Sequence, residues 1–423
     1  MIAIVGAGLS GLICGRILAE HGERVIIFEA SKEIGGLARC FPYREYRLPV
    51  FYHHVFAHDK VTLGVMKKLG MKEFYKKRIK MGISFGNRIY EISWIKTLFW
   101  DFLSWRDKLK FGMLAVKAKM KKDWKELEGK NAEEWLLKEV GKHVTQKIFS
   151  PLMREKYGLP LKEISAIELA MRLKEGEATG KFLYPKKGLH SMLSGLRKEV
   201  EKSGGEIKLA SPVTKISFGN EIKIQYRERG RRKTIKAKRV VNSAPLPVFL
   251  KMAKGLPQGY RKKLERIKYC SSICVDIFYP SPLSKFYWIN VFDKSFGGII
   301  EHTNLAKGYD FKFAWIWKYA PGKLWNLSDE QIAKLFIGEI KQIFPHVEIF
   351  DYRVFREPYA SPLYDKNYAK YMPAVKAPVK NLFFTGVATT YPEIRTMNTA
   401  LKSGIRTASM ILKEMENAKG GVR

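Results

Sequence analysis

The sequence predicts an α/β fold in which a Rossmann-like dinucleotide-binding domain is interleaved with an α+β domain of antiparallel sheet and helices. Two terminal units and the pattern between them point there. At the N-terminus an apolar run, Ile2 to Val5, meets Gly6-Ala7-Gly8-Leu9-Ser10-Gly11, a helix-like stretch follows to His21, and Arg24 to Phe28 reads as a second buried strand ending on Glu29. Strand, glycine turn, helix, strand and acid in that order form a dinucleotide-binding βαβ unit. Gly6 permits the turn, Gly8 leaves room for a pyrophosphate, and Gly11 lets helix and strand pack closely. The helix N-terminus offers free N–H groups and a positive dipole end to that pyrophosphate. Glu29 can accept hydrogen bonds from ribose hydroxyls, and an acid there argues against a 2′-phosphate.

The second unit closes the chain. Asn381 to Thr385 is an apolar strand ending at Gly386, and Thr396-Met397-Asn398-Thr399 opens a helix predicted to reach about Glu414. Mid-chain, Lys187-Gly188-Leu189 introduces a helix to about Lys202, followed by Gly204-Gly205, a strand from Glu206 to Leu209, then Ser211-Pro212-Val213 and the strand Arg239 to Ala244. Between these lie Lys80 to Phe85 and Arg88 to Ile92, a hairpin turned at Gly86-Asn87, and a largely helical insertion, 93–187. Strands are expected at Cys270–Tyr279, Phe286–Phe292, Gly297–His302 and Phe311–Tyr319, with a helix capped by Ser328 running to about Phe344. The predicted division is 1–79, 188–246 and 375–423 for the nucleotide domain, and 80–187 with 247–374 for the substrate domain.

Downstream of the ribose acid, Glu29-Ala30-Ser31-Lys32-Glu33-Ile34-Gly35-Gly36 places a glycine pair that resembles the extended FAD fingerprint of the flavin amine oxidase superfamily. That superfamily includes protoporphyrinogen oxidases, phytoene desaturases and UDP-galactopyranose mutases. The resemblance implies FAD as cofactor, with the glycine pair against its pyrophosphate. Many amine oxidases carry arginine directly after the pair; here Leu37 stands there and Arg39 two positions on, which tilts the likeness toward the desaturase and protoporphyrinogen-oxidase branches. The resemblance further implies that Val213 meets the adenine through its backbone, that Gly386 lies near the ribityl phosphate, and that Thr396, Met397 and Asn398 bring a helix N-terminus to the flavin N1–C2=O2 edge. Such a dipole stabilises the negative charge that arrives on reduction.

Composition sets the remaining bounds. The 423 residues, 46% hydrophobic, suffice for two or three domains, with disorder expected only at the tail, Asn417 to Arg423. The nucleotide strand begins at residue 2, which reads as no room for a signal or transit peptide. Four cysteines in so long a chain indicate a reducing compartment, and Cys270 with Cys274 lacks further ligands for zinc, so no metal site is expected. The expected place is the cytoplasm, with the inner face of a membrane as the open alternative.

Net charge is +36, and a charge that large calls for an acidic partner or a solvated lysine-rich surface. No nucleic-acid-binding module is visible, so nucleic acid is not the expected partner. An anionic membrane surface is a candidate because of the segment Trp94 to Lys122. Its first part, Trp94 to Trp105, is intensely aromatic, with Thr97, Asp101 and Ser104 at helical spacing, and a basic stretch follows. An aromatic helix and then a basic one suit an in-plane interfacial anchor. The competing reading is that the apolar face packs in the core, with Trp100 and Phe99 as the residues that separate the two.

For chemistry, His53 and His54, in Phe51-Tyr52-His53-His54-Val55-Phe56, are candidates for polarising substrate or hydrogen-bonding the flavin, against an ordinary structural role. Arg395, just before the flavin-facing helix, is a candidate for meeting a carboxylate or phosphate. The resemblance implies an FAD-dependent oxidoreductase moving a hydride between an apolar or conjugated small molecule and flavin N5, in either direction. Two alternatives stay open. One is a non-redox flavin-dependent sugar-nucleotide mutase, for which a diphosphate-gripping arginine pair would be expected. The other is a non-catalytic FAD-binding protein of the membrane surface.

Overall fold

The computed structural model describes residues 1–86, 88–93, 95–121, 123–175, 180–219 and 221–420. Asn87 of the predicted hairpin turn and Trp94 and Lys122 of the aromatic-basic segment lie outside these.

A five-stranded parallel sheet organises the nucleotide-binding part, in the order Glu206–Lys208, Val25–Phe28, Ile2–Val5, Arg239–Asn242, Leu382–Phe384. Its strands come from both ends and the middle of the chain. The inner strands are buried on both faces and alternate between two cores, while the edge strand Glu206–Lys208 is partly exposed. Ile4, Ile27, Val241 and Phe383 turn toward helices Leu9–Glu20, Leu189–Lys202 and Met397–Gly420. Val5, Phe28, Val240 and Phe384 turn the other way, toward an antiparallel meander of Val213–Ser217, Ile222–Glu228 and Arg231–Ala237. Phe28 meets Tyr226 of that meander at a ring-centroid distance of 4.8 Å. The last helix runs six residues past the expected Glu414 to Gly420, so most of the tail read as disordered continues it.

The second sheet has seven strands, ordered Asp351–Pro362, Tyr269–Tyr279, Lys312–Tyr319, Gly298–Glu301, Trp288–Val291, Met81–Phe85, Arg88–Ile92. Every pairing is antiparallel except that of Trp288–Val291 with Met81–Phe85. The four strands expected from 270–319 are present, and Asp351–Pro362 is an addition that the sequence reading did not include. One face of the sheet packs on helix Asp329–Ile343 through Ile273, Val275, Ile316 and Phe336. That helix starts as expected, with Ser328 and Gln331 capping each other reciprocally. The opposite face is aromatic and looks toward the nucleotide-binding part.

The insertion is helical over Trp105–Met120, Ala132–Val144, Ser150–Tyr157 and Ala166–Glu175, then returns as strand Lys181–Pro185 beside Phe74–Arg78 and Val55–Phe56. Over the described residues 95–104 the expected aromatic helix does not form. Lys96–Phe99 is one 3₁₀ turn, and the long helix begins only at Trp105, where Ser104 and Asp107 make a capping box. Ser104 therefore ends one segment and caps the next, instead of continuing a polar stripe. Among the described residues, no helix is long and apolar enough to cross a membrane.

Candidate active site

The glycine turn and its helix form an open cradle. Gly6 sits at φ +99°, and a Cβ on Gly11 would lie 2.1 Å from the Gly6 carbonyl oxygen, so the turn and the first helical turn touch through backbone alone. The helix Leu9–Glu20 has no side-chain cap and no acid in its first turn, while a Cβ on Gly8 would meet nothing nearer than Ser243 Oγ at 3.9 Å. Uncapped N–H groups with open space above them fit a pyrophosphate. Ser10 is buried, its Oγ 3.4 Å from Ser243 Oγ.

Glu29 fixes the neighbouring loops. Its Oε2 accepts from the Ala7 N–H at 2.8 Å and its Oε1 from the Ser31 N–H at 2.9 Å, with Ala30 exposed between. Gly35 bridges Gly8, its N–H donating to the Ala7 carbonyl at 2.8 Å, and Gly36 follows at positive φ. Thus Glu29, the first glycine turn and the glycine pair converge. Val213 joins them because Ala210 and Ser211 donate backbone N–H groups to the Ser31 and Glu29 carbonyls, both at 2.8 Å. Leu37 lies half-buried beside the pair. Arg39 folds back to the Gly36 carbonyl at 3.0 Å and reaches Glu357 of the second sheet at 3.3 Å.

The closing motif packs against this cradle. Gly386, at φ +97°, donates its N–H to Ser403 Oγ at 3.0 Å and lies against Ser10. Thr396 and Thr399 cap each other: the Thr396 N–H donates to Thr399 Oγ1 at 2.9 Å and the Thr399 N–H to Thr396 Oγ1 at 3.2 Å. Among the described residues the N–H groups of Met397 and Asn398 have no acceptor, which is the donor set a reduced flavin edge requires. The Asn398 side chain has another role. Its Oδ1 accepts from the Val61 and Thr62 N–H groups at 3.1 and 3.0 Å, capping helix Lys60–Lys68 from 336 residues away along the chain.

His53 and His54 enter on the segment preceding that helix. His53 Nδ1 lies 2.8 Å from the Phe51 carbonyl, which can only accept, so Nδ1 carries the proton and Nε2 is left as an acceptor. Burial pushes its pKa down to about 4, against a raising contribution from the Phe51 hydrogen bond, so the ring is neutral at pH 7. His54 stacks on Phe182 at 4.2 Å, with Nδ1 3.4 Å from the Tyr287 hydroxyl. The His54 ring borders the aromatic face of the second sheet, 6.0 Å from Trp288. Tyr52 hydroxyl meets Tyr319 hydroxyl at 3.2 Å, and the Tyr52 ring sits 5.1 Å from Trp288 and 6.1 Å from Trp317. Trp288, Trp317 and Tyr319 were not singled out from sequence, although Phe313, Trp315, Trp317 and Tyr319 alternate strictly with smaller or polar residues along one strand. That period of two was the available signal.

Arg395 is placed differently from the expectation. It is buried, its Nη2 donating to Glu168 Oε1 at 3.0 Å and its Nη1 to the Pro362 carbonyl at 2.8 Å, and its guanidinium lies over Tyr364 at 4.6 Å. Arg172 takes the same Glu168 oxygen at 2.9 Å, and the Tyr157 hydroxyl completes the cluster. Burial raises the Glu168 pKa, yet the attraction of Arg395 and Arg172 and their hydrogen bonds outweigh it and hold the carboxyl below its usual range. The carboxylate that Arg395 meets belongs to the protein, and no substrate-facing role follows from its position.

The profile of the family described as flavin containing amine oxidoreductase matches residues 9–412. The chain belongs to this family, and it is a flavin oxidoreductase whose cofactor is FAD. Among individual proteins it is similar to the 15-cis-phytoene desaturase of Synechococcus elongatus, at 23% identity over 98% of this chain and 96% of that one. Its fold matches that of an Exiguobacterium protein solved as a candidate protoporphyrinogen oxidase, with 18% identity, a TM-score of 0.77 and 98% of each chain covered. A reduced UDP-galactopyranose mutase superposes with the same TM-score at 14% identity, over 97% of this chain and 95% of that one.

Proposed function

We propose that the chain oxidises an elongated apolar polyene or polyene precursor by hydride removal, in the manner of the phytoene desaturases it resembles. When bound, FAD supplies the two-electron acceptor at N5. The protein's part is to bind, orient and keep water out. In this reading Gly6, Gly8, Leu9, Ser10 and Gly11 hold the pyrophosphate with Gly35 and Gly36, Glu29 accepts from the ribose, and Val213 lines the adenine. Gly386 sits by the ribityl phosphate, and the Met397 and Asn398 N–H groups face the flavin edge. The domain division at 80, 188, 247 and 375 is supported by the two largest sheets, each drawing its strands from one set of segments, although Lys181–Pro185 pairs with Val55–Phe56 and Phe74–Arg78 across it, and Ala253–Lys254 with Val213–Ser217.

The observation that carries the substrate class is the aromatic face. Tyr52, Trp288, Trp317 and Tyr319 form an apolar aromatic cluster in which the two tryptophans are buried and the Tyr52 and Tyr319 hydroxyls pair with each other, a setting that suits a hydrocarbon better than a sugar phosphate. His53, neutral at pH 7, keeps Nε2 as an acceptor beside Tyr52 in the chain. Arg172 and Arg395, both closed onto Glu168, are not available to grip the diphosphate of a sugar nucleotide.

The test is an absorbance spectrum followed by anaerobic mixing. Bands near ~370 and ~450 nm, with FAD released on heating, are expected first. Detergent-dispersed 15-cis-phytoene should then bleach the longer-wavelength band. Bleaching by a primary amine or a porphyrinogen and not by phytoene would reject the polyene reading while leaving the flavin reading intact.

A further inference from the structure

Helix Trp105–Met120 has two apolar faces, and the fold uses one. Phe111, Leu114 and Ala118 turn into the core of the helical insertion. At ~100° per residue, Trp105, Leu109, Met113, Val116 and Met120 fall within an arc of about 80° on the other side. All five are exposed, Trp105 at 69% and Met120 at 75%. A single exposed apolar side chain needs no explanation, but five aligned along roughly 24 Å of helix do. The preceding 3₁₀ turn adds Leu98 and Phe99, the latter 75% exposed, and Lys108 Nζ ties that turn to the helix through the Leu98 carbonyl at 2.8 Å. Trp100 and Leu103 are not part of this surface. They are buried at 2% and 4%, and Trp100 Nε1 donates to the Glu91 carbonyl on the edge strand of the seven-stranded sheet.

Charge defines the occupant. On the same helical projection Arg106 and Lys110, with Lys117 paired to Glu139, border one side of the ribbon, and Lys108 and Lys119 the other. Asp107 is turned inward, engaged by Ser104 and His143. From 95 to 121 there are seven cations and two carboxylates. We propose that this ribbon lays the helix flat on an anionic lipid bilayer, its apolar side chains entering the headgroup–acyl boundary and its flanking cations meeting lipid phosphates. A second protein copy would cover the apolar ribbon but would bring more positive charge against both flanks, since the chain carries +36. The inference stands on surface geometry and does not depend on the flavin.

The experiment is co-sedimentation of the purified full-length protein with vesicles of phosphatidylglycerol and phosphatidylcholine, or of phosphatidylcholine alone. Binding is expected to the mixed vesicles, weakened by ~0.5 M salt, and not to the neutral ones. Leu109→Ser with Met113→Ser should lower the partition constant about tenfold or more while thermal unfolding stays as in the wild type. Should that variant fail to fold, Met120→Gln, at the exposed helix end, takes its place. All four native cysteines are buried, so Met113→Cys can carry a single environment-sensitive dye. Its emission should shift to the blue on anionic vesicles and be quenched by brominated lipid. Unchanged dye emission, or equal partitioning of wild type and variant, overturns the proposal. So does a wild-type dimer that the serine variant converts to monomer without any vesicle binding, which would assign the ribbon to a second copy.

Discussion

Glu29 commits both carboxylate oxygens to backbone N–H groups, of Ala7 and Ser31, and so holds the glycine turn and the loop after strand Val25–Phe28 in one geometry. Glu29→Ala is therefore expected to cost FAD affinity twice, through the lost ribose acceptor and through the released loops. Two such hydrogen bonds are each worth about 1–1.5 kcal/mol, so the dissociation constant should rise on the order of 10- to 100-fold, read by flavin fluorescence titration. The acid was legible because its distance from the glycines is fixed by one helix and one strand. His302 was not, since nothing local marks it. It is fully buried, edge-on to Tyr184 and Trp315, with Nε2 3.2 Å from the Tyr309 hydroxyl. Burial, and to a lesser extent the neighbouring His54, pushes its pKa from 6.5 down to about 3. The unfolded chain thus binds a proton below pH 6.5 that the folded chain refuses, and stability falls as pH drops from 6.5 toward 3. His302→Phe should flatten that part of the melting-temperature profile. His53, whose pKa lies near 4, titrates in the same window and leaves a residual slope.

Elements held together by distant side chains were the least readable. Arg395 stood out in sequence because it precedes a helix N-terminus, but its partner Glu168 is 227 residues away, beyond any local pattern. The pair fastens helix Ala166–Glu175 to the loop that precedes the last helix. Arg395→Met would leave Glu168 with only Arg172 to balance a buried charge, and a loss on the order of 3 kcal/mol is expected, measured by chemical unfolding of the flavin-loaded protein. The strand Asp351–Pro362 escaped notice for a related reason. Arg353, Arg356, Glu357 and two prolines interrupt its apolar alternation. Those residues are tolerated because the strand is an edge, paired only with Tyr269–Tyr279, and edges accept proline and charge. The predicted helix from 94 to 105 failed in the opposite way. Its apolar residues were plentiful enough to suggest a helix, but Ser104 with Asp107 three residues on is a helix start, and that signal outranks the stripe. By contrast the βαβ unit and the start of the closing helix were readable to within a residue or two, because glycine turns and capping threonines mark them, whereas nothing marked the closing helix's end and it runs six residues past Glu414.

At the scale of the whole molecule, excess charge acts on the fold as well as on partners. The meander beside the parallel sheet shows where. In its hairpin Lys223 lies directly opposite Lys236, and Arg227 directly opposite Arg232. Like charges facing each other across a ladder oppose pairing. Glu221 relieves the first pair through Lys236, and Glu228 engages Lys233 and Lys208, but Arg227 and Arg232 are exposed and neither is in one of these bridges. Arg232→Glu would turn that repulsion into attraction and take two units from the net charge. At low ionic strength it should stabilise the protein by about 0.5–1 kcal/mol, seen as a higher melting temperature. Near ~1 M salt the screening length shrinks to about 3 Å, so the wild type should rise toward the variant and the difference should largely vanish. A gain that persists at high salt would mean that residue 232 acts through strand packing and not through charge, and the hairpin would then give no sign that the surplus of +36 strains the fold.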